Sequence, residues 1–151
     1  MDKQKARESF ENFLIEMDDR LDGVREEAER VHVDLDMSVS DFDRLESLFD
    51  KLSAGMSDDK KKDLVVSLGR YLGELVCHLY GGKWVLPLED EKSINFNTPV
   101  VVGHAAVPGL EFAPLATMRA YALRKRPGTL KRAALADVRP QAVDLSDLIE
   151  D

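Results

Sequence analysis

A single cysteine, Cys77, stands among 151 residues, so no internal disulfide framework braces this chain. No run approaches the roughly 18–20 consecutive apolar residues that cross a bilayer. The opening "MDKQKARESFEN" is charged where a secretory signal needs an apolar stretch. Histidine is scarce, with three in all, and beside one thiol it makes a poor supply for zinc, which takes three or four ligands. No G-x-S-x-G, P-loop or dinucleotide fingerprint occurs, and "GHAAVPG" has the wrong spacing and context. These absences point to a cytoplasmic chain with no membrane partner, and they give no reason to expect a cofactor or a metal.

Acid is what the chain has in excess. Its net charge of −8 is unevenly spread. Residues 1–60 hold 9 basic and 18 acidic side chains, residues 113–139 hold 7 and 1, and residues 140–151 hold four acids. Such a front half repels nucleic acid and anionic membranes and attracts basic partners. Asp18, Asp19, Asp22, Glu26, Asp34 and Asp36 are the candidate docking residues, although a solvated face kept for solubility has the same composition. The basic stretch Arg119, Arg124, Lys125, Arg126, Lys131 and Arg132 would suit phosphates. It lacks interleaved aromatics beyond Tyr121, so it is better read as balancing an acidic element of the same molecule or of a second copy.

Along the chain, Phe10, Leu14, Met17, Leu21, Val24, Ala28 and Val31 recur at intervals of four and three. That heptad seam predicts one helix of 25 residues or so, packed within the domain or against a second copy as a homodimer. Val31, Val33, Leu35 and Met37 then alternate with His32, Asp34 and Asp36, which predicts a short extended stretch. Its polar side could gather His32, Asp34 and Asp36 around a metal, but ordinary exposed alternation looks the same.

Ser40, with Asp43 three residues on, reads as the cap of a second helix through Phe42, Leu45, Leu48, Phe49 and Leu52. Ser57 caps a third that runs to Tyr80 and stops at Gly81 and Gly82. Inside that third helix, Gly69, Gly73 and Cys77 stand four apart and form a row of small residues, a contact seam for a neighbouring backbone. Arg70 and Glu74 are spaced for a surface ion pair. Beyond residue 82, "KWVLPL", "TPVVVGHAAV" and "LEF" read as strands, with Trp84 anchoring the helix-to-strand junction. Pro114 suits the first turn of a fourth helix, and "TLKRAALADV" forms one more short helix.

The run "SLGRYLGELVCHLYGGKW", residues 67–84, resembles a pattern in small uncharacterised bacterial domains: an LG-x-YLGE helix, a glycine-rich turn, then a tryptophan opening a sheet. The match is carried by Leu68, Gly69, Tyr71, Leu72, Gly73, Glu74, Gly82 and Trp84. Some such domains look like immunity proteins, which act by binding secreted toxins. The resemblance implies no catalytic residues.

The expected fold is α+β: N-terminal helices packed on a small antiparallel sheet, followed by one or two C-terminal helices. Residues 1–139 form one domain and 140–151 an acidic tail. The expected function is non-catalytic binding of a basic protein partner, with an immunity or inhibitor role as its most specific form. One alternative is an acidic secretion-type chaperone. Another is a small enzyme or ligand-binding domain with a pocket near Glu74 and His104. A deep polar pocket that contains Glu74, His104 or Cys77 would favour it, and a Cys77–His104 nucleophile pair would need the thiol in a polar, partly open setting.

Overall fold

The computed structural model describes residues 1–138. In chain order the elements are α1 (Lys3–Ile15), α2 (Met17–Arg30), α3 (Asp41–Ser53), α4 (Asp58–Tyr80), β1 (Lys83–Val85), β2 (Val100–Val102), β3 (Glu111–Phe112), α5 (Pro114–Arg124) and α6 (Thr129–Val138). This is an α+β fold. Its three short strands pair antiparallel in the order β1-β2-β3, with Trp84 opposite Val101 and Val101 opposite Phe112. The acidic tail, residues 140–151, lies outside the described residues. Among those described, no helix is long and apolar enough to cross a membrane.

At the centre stands α4. Ser57 caps it as expected, its Oγ accepting from the Lys60 amide at 3.3 Å, and Gly81 ends it at φ 82°, its amide donating to the Cys77 carbonyl. Buried Leu68, Tyr71, Leu72, Leu75 and Val76 of α4 join one cluster with residues of α2, α3, β2, β3, α5 and α6. The two mid-helix glycines do mark a contact seam. A Cβ on Gly69 would lie 2.5 Å from the Leu115 side chain, and one on Gly73 would collide with the Trp84 ring. The neighbours across the seam are therefore the start of α5 and the indole of β1. Each glycine costs about 1 kcal/mol relative to alanine in a helix, and the close approach of α5 and Trp84 offsets it through burial.

The first helix is two helices, which corrects the single-helix expectation. At the junction the Arg70 guanidinium donates to the Phe13 carbonyl at 2.5 Å and lies 3.9 Å from the centre of the Phe13 ring. A side chain that enters the carbonyl ladder kinks a helix, and α1 ends two residues later. The seam divides at the same place. Met17, Leu21, Val24 and Ala28 are buried within the chain, whereas α1 has no buried residue. The expected Arg70–Glu74 surface pair is absent too, because Arg70 is buried against α1 and Glu74 faces Trp84.

Val31–Met37 is not a strand. His32 and Met37 take left-handed conformations, at φ 60° and 59°, which break an extended run. Ser40 also lacks its expected role, for its side chain makes no capping hydrogen bond. The buried Asp41 carboxylate works there instead, accepting from the amides of Asp36 and Met37, from Arg44 and from the Tyr71 hydroxyl at 2.6 Å.

Candidate functional site: an acidic hollow beside the second helix

Packing of α2 on its Met17, Leu21, Val24 and Ala28 stripe leaves Asp18, Asp19, Asp22 and Glu26 exposed. Asp18, Asp22 and Glu26 follow one another at four-residue intervals, so they form a second stripe along the helix. Like charges at this spacing oppose helix formation by roughly 0.2–0.5 kcal/mol per pair. For Asp18 and Asp19, placement in the first turn offsets part of that cost, since the positive end of the helix dipole lies there. Asp22 is 3.4 Å from Arg25. Asp18, Asp19 and Glu26 have no ion pair among the described residues.

Between α2 and α4 lies an open hollow of about 640 Å³ lined by Asp18, Leu21, Asp22, Arg25, Met37, Glu74, Cys77 and His78. The structure thus gathers two of the candidate acids with Glu74, 52 residues further along the chain than Asp22. Glu74 is oriented by the Trp84 indole nitrogen, which donates to its carboxylate at 2.9 Å. Trp84 in turn meets the Phe13 ring edge-on at 5.1 Å. Arg25 lies 5.9 Å from the Tyr71 ring centre, so its charge leans toward the protein.

Asp34 and Asp36 do not join this hollow. Both are exposed on the connection between α2 and α3. Asp36 is engaged there, accepting from the Ser38 amide and from Arg44 at 2.9 Å. Hydrogen bonding from Ser38, followed by the Arg44 charge, holds its carboxyl below the usual 3.8. Among the described residues no group of three or more His, Cys, Asp or Glu is placed to hold a metal ion.

Cys77 lies on the wall of the hollow, half-buried, and burial pushes its thiol up from 9.0 to about 11, with the Glu74 charge adding to the effect. At neutral pH it is a thiol rather than the thiolate that attacks electrophiles. His104 is elsewhere. Its buried ring places Nε2 3.0 Å from Asp137 Oδ2 on α6, and it does not line the hollow. The structure therefore joins Glu74 with Cys77 and leaves His104 with neither.

Two features escaped the reading of the sequence. Arg25, Met37 and His78 complete the wall, and only the three-residue spacing of Asp22 and Arg25 hints at it. Three acids of α3 are tied to other elements, Asp41 and Glu46 buried and Asp50 at the surface. Besides Asp41, Glu46 accepts from the Gly128 and Leu130 amides at 2.9 and 3.0 Å, and Asp50 takes the Tyr121 hydroxyl and Lys125. Compared with known proteins, this chain matches no family model, no curated protein and no solved structure.

Proposed function

We propose that this is a non-catalytic binding protein that receives a basic protein partner on the acidic face of α2, most specifically in an immunity or inhibitor role. One observation carries the reading: Asp18, Asp22 and Glu74 border a single open hollow, where an incoming lysine or arginine is offered three carboxylates. Opposite charge on partner and face speeds encounter, and the apolar wall of Leu21 and Met37 supplies contact after it. A protonated Cys77 that does not meet His104 supports binding over catalysis through that pair. The LG-x-YLGE helix and its Gly-Gly-x-Trp turn support the immunity form. A free thiol in a chain without disulfides suits the cytoplasm.

The test is a titration with a lysine-rich peptide followed by amide NMR. Shifts confined to α2 and residues 74–78, weakening as salt rises, and lost in the combined Asp18→Asn, Asp22→Asn and Glu26→Gln variant, are the expected result. Equal binding by the neutralised variant sinks the docking face. For the immunity form, the product of a neighbouring toxin gene replaces the peptide, and failure to form a salt-sensitive complex rules that form out.

A further inference from the structure

The opposite charge collects around the turn between α5 and α6. Lys125 is taken by Asp50 at 2.7 Å, and Arg132 donates to the Pro127 carbonyl. Arg119, Arg124 and Arg126 are exposed and have no acidic partner among the described residues. Leu123 stands among them 77% exposed. It follows Arg119 by four residues and so shares its stripe of α5. This turn presents an apolar knob set among guanidinium groups.

The hollow between α2 and α4 has the complementary chemistry. Leu21 and Met37 form its apolar wall, and Asp18, Asp22 and Glu74 border it. Its volume of about 640 Å³ admits a leucine side chain with room to spare. Arg25 on that wall is held by Asp22 at 3.4 Å and leans over the Tyr71 ring, so its charge is already met. Within one copy the two surfaces stay apart. Both α2 and α5 are packed on α4, and among the described residues no ion pair joins Arg119, Arg124 or Arg126 to the acids of α2 or to Glu74. A knob on one surface and a hollow on another make a heterologous contact, which links one copy to the next. Burying Leu123 removes apolar surface from water, and the charge pairs around it speed the encounter and fix its orientation.

We propose that copies of this chain associate by seating Leu123 of one in the α2–α4 hollow of another, with Arg119, Arg124 and Arg126 against the carboxylates around it. The pairing rests on the acidic docking face proposed above and names a further occupant for it, the chain's own α5–α6 turn. Any other basic partner then has to displace that turn.

Sedimentation velocity of the full chain tests this, at a physiological salt concentration that screens the overall repulsion between copies of net charge −8. From micromolar to millimolar protein the parent should pass from monomer to larger species, and the lysine-rich peptide should reverse the change. Two variants, both altered at exposed positions, separate the halves of the contact. The first carries Leu123→Ser, Arg124→Gln and Arg126→Gln and keeps the hollow. The second carries Asp18→Asn, Asp22→Asn and Glu26→Gln and keeps the knob. Each alone should remain monomeric over the whole range, and an equimolar mixture should form a dimer, because only there do an intact knob and an intact hollow meet. A parent that stays monomeric overturns the self-pairing without recourse to either variant. Association that persists in either variant alone, or that the peptide leaves untouched, overturns it as well, and so does a mixture that stays monomeric. If the parent stays monomeric while the peptide still shifts α2, the docking face stands and only its self-occupant falls. If both fail, the face falls with it.

Discussion

Helices α2 and α3 are nearly equal in length and both rich in acid, yet apart from exposed Asp43 the carboxylates of α3 meet a different fate from those of α2. On α2 every acidic side chain is exposed. On α3, Asp41 and Glu46 are buried, and Asp50 is occupied by Tyr121 and Lys125. The difference lies in the donors. Tyr71, the amides of Gly128 and Leu130, and the Tyr121 hydroxyl all come from later elements and converge on α3. A buried carboxylate with such partners is worth keeping, because losing it strands each donor away from water. Among the described residues no donor from a later element reaches the α2 acids, so their charge stays exposed to solvent. A count of acids in the front half therefore overstates the charge that is left exposed.

Variants of the two helices sharpen that contrast. Asp41→Ala leaves the Tyr71 hydroxyl and two amides without their acceptor, and should lower unfolding stability by about 3–5 kcal/mol, read as the urea midpoint. A midpoint within error of the parent would mean that Asp41 is no more structural than the acids of α2. Tyr121→Phe removes one donor from the partly exposed Asp50, and a loss of about 0.5–1.5 kcal/mol is expected in the same assay. Neutralising Asp18, Asp22 and Glu26 together should change stability by no more than about 0.5 kcal/mol, while it abolishes peptide binding. A large loss there would move α2 into the structural class.

Asp36, on the connection between the two helices, gives the smallest effect and one that depends on pH. Its carboxyl titrates below 3.8 in the folded state, so its contribution is fully present above the unfolded pKa. That contribution fades as pH falls through the lower folded value. The urea midpoints of Asp36→Asn and the parent should therefore differ at neutral pH and converge in acid.

Local signals were readable in the sequence. Ser57, the Gly81–Gly82 stop and Pro114 at the start of α5 each act within a turn or two of themselves, and each does what its chemistry suggests. The glycines of α4 marked a seam without saying that Leu115 and Trp84 would meet it. The strands were found but overdrawn. Pro87 has no amide to donate and follows the end of β1 by two residues, while Gly103 turns away at φ 81° just after β2. What could not be read depends on distant partners. The break between α1 and α2 comes from Arg70, 57 residues away from Phe13. Asp41 looks like any first-turn acid until Tyr71 arrives from α4. The hollow itself needs α2 and α4 side by side, and neither segment announces the other.

The indole at position 84 is the chain's only one, and it touches both the first helix and the wall of the hollow. Its edge rests on Phe13 of the peripheral first helix, and its nitrogen is tied to the carboxylate that walls the hollow. Ultraviolet emission from the unlabelled protein should therefore respond to a ligand bound at Glu74 and to any loosening of α1 from the ring. The first acts through the polar end of the ring and the second through its hydrocarbon rim.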